Sequence, residues 1–150
     1  MTPEETAEAL NEWAKLMSEG TPDVMQESAL TAKALIQERI QETGQDALGV
    51  ELTPYSESYR KVRQKKGYET AFKNLTFTGE MWRKTLITSE EQEGNKYVVT
   101  IGGTDQLTKD KLDGHSDDYG DILRLAKTEE EKLQRNIDEW AEELKKQAGL

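Results

Sequence analysis

The residues of this chain that could support acid–base or metal chemistry cluster in one polar stretch. A single histidine, His115, stands among five aspartates: Asp110, Asp113, Asp117, Asp118 and Asp121. A histidine beside a serine and an aspartate can activate a nucleophile, and clustered carboxylates can bind Ca²⁺. The stretch "DKLDGHSDDYGD" does not match the EF-hand spacing of alternate ligands. We interpret it as a solvated acidic loop, with a weak ion site as the alternative.

Other catalytic patterns are missing from the sequence. The chain has no cysteine, which excludes disulfides, thiolate metal sites and Cys–His catalysis. No G-x-S-x-G, P-loop or H-E-x-x-H motif is present. We therefore expect no catalytic, cofactor-binding or metal-binding residue. If the protein is an enzyme after all, the alternative hypothesis is a hydrolase whose active site uses carboxylates alone.

Charge is spread unevenly along the chain. The net charge is −10, yet residues 59–84 hold two acidic and eight basic side chains. The acidic ends argue against non-specific nucleic-acid binding, which needs cations to neutralise phosphates. The basic centre "YRKVRQKK" could be a solvated face, a docking patch for an acidic neighbouring subunit, or a nucleic-acid contact. The candidate subunit-contact residues are Tyr55, Tyr59, Arg60, Lys61, Arg63, Lys65, Lys66 and Arg124.

Helix signals dominate the first 44 residues of what, at 150 residues, is one domain. Thr2 and Glu5 form a capping box, and an apolar stripe follows as far as Gly20. Thr21-Pro22 repeats the start signal, and Gly44 provides a stop. The pattern predicts two abutting long helices, the first of them an N-terminal extension over residues 1–20.

The middle of the chain changes period within eight residues. Ser56 could cap a short helix. In "LTFTGEMW" (75–82), apolar and threonine residues alternate as in a strand before Gly79 interrupts the pattern. Met81 and Trp82 then begin a helical spacing. We interpret Thr78, Gly79, Met81 and Trp82 as a structural switch from strand to helix.

Strand and helix signals also mark the rest of the chain. "GN" at 94–95 suits a hairpin turn before a strand at 96–103. Residues 103–121 are polar and glycine-punctuated and are expected to form a long mobile loop. Thr128 and Glu131 form a capping box for a last amphipathic helix. The expected fold is α+β, with long N-terminal helices, a small antiparallel sheet and a C-terminal helix packed on that sheet.

Several short stretches resemble one protein family. They are "ERIQETGQDALGVELTPYSESYRKVRQKKG" (38–67), "LTFTGEMWRKTLI" (75–87), "YVVTIGG" (97–103) and "ILRLAKTEEEKLQRNIDEW" (122–140), which contains Arg124 and Leu125. Their order is similar to that of bacteriophage virion-morphogenesis, or tail-completion, proteins. The resemblance covers roughly residues 30–145 and leaves residues 1–20 outside it.

The resemblance implies a non-enzymatic virion protein of a tailed bacteriophage. Such a protein would form a ring, typically hexameric, in the neck where the tail joins the head connector. Its partners would be portal-side connector proteins and tail-tube or terminator proteins, and DNA would pass through the channel without specific binding. It would be made in the host cytoplasm and reside in the virion at the head–tail junction.

Two other hypotheses about function remain open from the sequence alone. The chain could be a tail terminator, which is also a small α+β ring-former, or a non-phage acidic binding or regulatory module. No apolar run approaches the roughly 18 residues that a membrane span needs. The acidic N-terminus lacks the basic start and apolar stretch of a signal peptide. We therefore expect a soluble, non-secreted protein.

Overall fold

The computed structural model describes residues 1–76 and 79–150, without the side chains of residues 117 and 119. This part of the chain forms five helices and a two-stranded antiparallel sheet. The elements, in order, are α1 (Pro3–Thr43), α2 (Glu57–Lys65), α3 (Glu80–Arg83), β1 (Thr85–Glu93), β2 (Lys96–Gly103), α4 (Gln106–Tyr119) and α5 (Lys127–Gln147). The α+β class predicted from the sequence is confirmed.

The N-terminal 44 residues form one helix, so the prediction of two helices is wrong. Helix α1 runs for 41 residues, or about 60 Å, with Pro22 inside it. Proline lacks an N–H and removes one helical hydrogen bond. Helix α5 packs along α1 across this point: a Cβ on Gly20 would lie 2.9 Å from the Trp140 ring. Tertiary packing of this kind outweighs local propensity, and the helix continues.

Helices α1 and α5 run antiparallel along each other. The Trp13 indole Nε1 donates to the Ala141 carbonyl at 3.1 Å, whereas Arg39 near the other end of α1 pairs with Glu129 at 3.2 Å. The predicted Thr2–Glu5 capping box and the Gly44 C-cap are both confirmed.

Helix α5 begins two residues before the position expected from the sequence. The Glu129 carboxylate accepts from the Ala126 backbone N–H at 2.8 Å, which makes Ala126 the N-cap. The predicted Thr128–Glu131 capping box is therefore wrong. A helix start at Ala126 is favoured because the capping residue Glu129 also pairs with Arg39 on α1.

The sheet is a single hairpin that packs on α1. Gly94 and Asn95 form its turn, as predicted, and a bulge interrupts the register between Ile87 and Ser89. Residues 75 and 76, where a strand was expected, are not in a strand. The remaining two residues of that expected strand, Phe77 and Thr78, lie outside the described residues.

The segment expected to be a loop, residues 103–121, contains helix α4. The Asp105 side chain accepts from the Thr108 N–H at 2.8 Å and caps the helix. Thr108 and Leu112, four residues apart, are buried on one face. The burial of these two residues stabilises α4 although its sequence is mostly polar. Its few apolar residues are scattered, so the sequence did not indicate a helix.

One hydrophobic cluster holds these elements together. Its buried members are Ile36, Ile40, Leu52, Leu75, Met81, Trp82, Leu112 and Ile122. They come from the C-terminal part of α1, from α3 and α4 and from the segments between them. The N-terminal part of α1 lies outside this cluster and packs along α5. Among the described residues, no helix is both long enough and apolar enough to cross a bilayer.

Candidate interaction site

The basic centre of the sequence folds into the short helix α2. Ser56 caps it, as predicted, by accepting from the Tyr59 N–H. Four of its basic side chains are exposed: Arg60, Lys61, Lys65 and Lys66. Lys61 pairs with Glu57 one turn earlier at 3.8 Å, an exposed contact that contributes little stability. The helix therefore presents a positively charged surface to solvent.

Arg63 differs from its basic neighbours because it is 1% exposed. Its Nε donates to the Glu69 carbonyl at 2.8 Å and its Nη1 to the Thr76 carbonyl at 2.7 Å. Its Nη2 donates to the Asn74 Oδ1 at 3.0 Å. The Arg63 guanidinium therefore fixes residues 69–76 against α2, and a contact of Arg63 with a neighbouring subunit stays a prediction.

Tyrosine rings surround the Arg63 guanidinium. Its Cζ lies 4.5 Å from the centroid of the Tyr55 ring, 5.9 Å from that of Tyr59 and 5.6 Å from that of Tyr68. Tyr55 and Tyr59 meet edge to face at 5.3 Å. Cation–π contacts of this kind gain strength when they are desolvated. Tyr55 is half-buried and so belongs to this cluster, whereas Tyr59 keeps an exposed side.

Asn74 connects the tyrosines to the arginine. The Tyr55 hydroxyl donates to Asn74 Oδ1 at 3.1 Å and accepts from the Asn74 N–H at 3.2 Å. Burial raises the pKa of Tyr55, although the nearby Arg63 charge and the hydrogen bonds oppose that rise. The hydroxyl therefore stays protonated and serves as a structural donor.

The predicted switch lies beside this cluster. Gly79 has φ +80°, in the left-handed region that glycine enters at little cost. Met81 and Trp82 follow in α3 and are buried, and the Trp82 Nε1 donates to Thr76 Oγ1 at 3.1 Å. The helix expected after Gly79 is therefore present, whereas residues 75 and 76 form no strand before it, so the described residues contain no switch from strand to helix. Thr78, the fourth residue of the switch, lies outside the described residues.

A cleft of about 650 Å³ separates α2 from α4. Among the described residues, its α2 side is lined by Tyr55, Ser56, Tyr59 and Arg63, and its α4 side by Lys111, His115 and Asp118. Burial lowers the pKa of His115; Lys73 and Lys111 lower it further, against the opposing effect of Asp118. The cleft thus combines aromatic surface with positive charge.

Sequence reasoning identified only part of this cleft. It assigned His115 to a solvated loop and did not single out Lys73, Asn74 or Lys111. The Asp105-x-x-Thr108 spacing, typical of an N-cap, could have indicated α4. Arg124 lies elsewhere, at the α1–α5 junction, where its carbonyl accepts from the Arg39 Nη2 at 2.9 Å. It does not join the α2 surface.

Among the side chains that the structure describes, which exclude those of residues 117 and 119, no three of His, Cys, Asp or Glu are grouped so as to hold a metal ion. The described part of the cleft offers cations, rings and hydroxyls, which suit recognition of an anionic partner. Comparisons of this chain with protein-family models, with curated proteins and with solved structures give no match.

Proposed function

We propose that this chain is a structural, non-enzymatic subunit of a tailed-bacteriophage neck, a tail-completion protein that joins the tail to the head connector. The proposal rests on the family resemblance of residues 38–67, 75–87, 97–103 and 122–140 and on surfaces that favour assembly. A tail-terminator role is the closest alternative, because it requires the same kind of ring-forming subunit.

The hairpin is the observation that carries the proposal. Strands β1 and β2 pair with each other, and in the described part of the chain neither outer edge has a further strand partner. Unpaired edges invite pairing with another chain, and a two-stranded sheet gains stability from added contacts. Leu86 and Val98 are 40% and 38% exposed on this hairpin. These features suit a subunit that completes its packing against neighbours.

Charge supports the same role. The chain has a net charge of −10, whereas residues 59–84, which include most of α2, hold eight basic and only two acidic side chains. In a ring, acidic surfaces turned to the channel would repel DNA and ease its passage, while the basic surface of α2 would dock against an acidic neighbour. DNA would pass without specific contacts.

A second candidate is a binding or regulatory module, which the cleft favours. Its volume of about 650 Å³ lies in the range of small-ligand sites, which combine apolar walls with a few polar groups. A module of this kind would be a stable monomer whose melting temperature rises when a small anionic ligand is added.

Native mass spectrometry and negative-stain electron microscopy distinguish the two. The protein is examined alone and after mixing with the connector and tail-tube proteins encoded by the same genome. We expect monomers or mixed small species alone and closed rings with the partners, and cryo-electron microscopy of the parent particle should locate those rings in the neck. A monomer that binds neither partner and is stabilised by a small anion would overturn the neck proposal.

A further inference from the structure

The floor of the α2–α4 cleft carries a buried positive charge with neutral partners. In the described structure, Arg63 donates only to two backbone carbonyls and the Asn74 amide oxygen, and no carboxylate lies within ion-pair distance of it. Lys73 and Lys111 add two further cations to the lining. A desolvated cation without a counter-charge attracts anions strongly.

The acidic side chains already in the cleft do not balance this charge. Glu80 is engaged by Lys84 at 2.8 Å, and Asp118 is the other carboxylate of the described lining. The lining therefore keeps a net positive charge, and exposed Arg60 extends that charge along α2. A fitting occupant supplies carboxylates on an extended, exposed segment.

The tip of the β1–β2 hairpin has this chemistry. Residues 88–96 are exposed throughout and contain three glutamates and one lysine. Glu90 accepts from the Tyr97 hydroxyl at 3.2 Å, whereas Glu91 and Glu93 share the opposite face of β1 because alternate residues point the same way. That outer face also carries exposed Val98, cross-strand from Glu91.

A hairpin cannot fill the cleft of its own chain. Glu80 and Met81, which line the cleft, belong to α3, the helix that comes just before β1 in the chain. The nine residues of β1 then carry the tip roughly 30 Å away. Contact between tip and cleft must therefore join two copies head to tail. Such heterologous contacts generate rings when the rotation closes.

We propose that the glutamate-rich hairpin tip of one copy docks into the α2–α4 cleft of the next copy, with Glu91 and Glu93 facing its cationic groups. This inference deepens the proposed function and rests on it, since the next copy is the neighbouring subunit of the ring. It assigns the hairpin as the donor and the cleft as the acceptor of that contact.

Disulfide trapping tests the contact directly, because the chain has no cysteine of its own. Two single variants, Glu91→Cys and Lys111→Cys, are mixed at high protein concentration under mild oxidation, which traps even transient contacts. We expect a mixed dimer between them. Lys109→Cys, an exposed residue of the same helix α4 that does not line the cleft, is the matched control for Lys111→Cys. Glu12→Cys on α1 serves as the control for the hairpin.

A second experiment exchanges the charges. Glu91→Lys with Glu93→Lys, or Arg60→Glu with Lys111→Glu, should each weaken self-association by about tenfold or more in sedimentation, and mixing the two reversed proteins should restore it. Circular dichroism checks that each variant is folded.

The outcomes separate this inference from the proposed function. Rings that assemble with connector and tail-tube proteins but give no hairpin–cleft disulfide overturn the inference and leave the neck role standing. A hairpin–cleft disulfide from a protein that ignores those partners supports the contact and overturns the neck role. Equal trapping of Lys111→Cys and Lys109→Cys overturns the inference by itself.

Discussion

Two arginines, the fully buried Arg63 and the largely buried Arg39, hold this protein together in different ways. Arg39 joins α1 to α5: it pairs with the Glu129 carboxylate at 3.2 Å and donates to the Gln45 and Arg124 carbonyls. Arg63 joins α2 to residues 69–76 and, in the described structure, relies on neutral oxygens and tyrosine rings. Both occupy junctions between segments that no regular hydrogen-bond ladder connects.

The two arginines differ in whether a counter-charge neutralises them, and this decides whether their surroundings can attract a charged partner. A buried ion pair neutralises itself, so the region around Arg39 presents no residual field to a partner. An arginine held by dipoles and aromatic faces keeps its positive charge, and its potential extends into whatever cleft it lines. Full burial and a role in recognition are therefore compatible at Arg63, because its field reaches the surface even though its atoms do not.

Replacing Arg63 should have the largest effect on stability. Arg63→Met removes three hydrogen bonds and leaves the Asn74 oxygen and two carbonyls with fewer donors, which we expect to cost about 3–5 kcal/mol of unfolding free energy. Urea denaturation followed by tryptophan fluorescence measures the change. Exposed Arg60→Met is the control and should stay within about 0.5 kcal/mol of wild type. Similar losses for both variants would show that Arg63 does not hold the 69–76 segment.

Replacing Arg39 should cost less when its partner is replaced too. Arg39→Met alone strands the buried Glu129 carboxylate and should cost about 3 kcal/mol. In the double variant Arg39→Met/Glu129→Met the stranded charge is gone, so we expect the loss to fall to about 1–2 kcal/mol despite the lost cap. A double-mutant cycle in urea gives the coupling energy. Additive losses would contradict the ion-pair description of this junction.

Two glycine substitutions should change stability in opposite directions. Gly79→Ala forces a side chain into φ +80° beside the Arg63 cluster and should cost about 1–2 kcal/mol. Gly114→Ala lies within α4, where a Cβ meets open space, and should stabilise the protein by about 0.5–1 kcal/mol. Thermal melts measure both. Destabilisation by Gly114→Ala would argue against the helical state of α4.

The smallest expected effect is a pH dependence from His115. Its pKa lies below the ordinary value of about 6.5 in the folded chain, so between the two values the unfolded chain binds more protons. Stability should therefore fall as pH drops below about 6.5, until the folded pKa is passed. His115→Gln should show a smaller loss between pH 7.5 and about pH 5 by urea titration. Identical losses would place His115 in a solvated environment.

Local signals in the sequence predicted the elements whose determinants are close in sequence. The Thr2–Glu5 capping box, the Gly44 stop, the Ser56 cap and the Gly94-Asn95 turn each depend on a few adjacent residues, and the structure contains all four. The failures depend on distant partners. Pro22 stays helical where α5 packs along α1, with Trp140 against Gly20. Helix α5 begins at a cap made by Glu129, which also pairs with Arg39 on α1, and not at the predicted Thr128–Glu131 capping box.

The interaction site was predictable in composition but not in geometry. The tyrosines and basic residues of 55–66 were singled out together, and most of the basic ones are exposed on α2. Nothing in the sequence distinguished Arg63 from Arg60, since charged residues are seldom fully buried without a partner. The partner, Asn74, lies in an irregular segment whose path only the tertiary fold determines.

Pro22 creates a point within the long helix α1 at which the helix bends most easily. Without a proline N–H, the carbonyl of Ser18 has no donor four residues later, and bending is easiest there. Trp140 of α5 covers Gly20 at this point, while α5 is anchored to α1 on both sides, at Trp13 and at Arg39. Helix α5 therefore stiffens α1 at this position. A force applied to the N-terminal end of α1 is transmitted along the helix to the hydrophobic core with little bending.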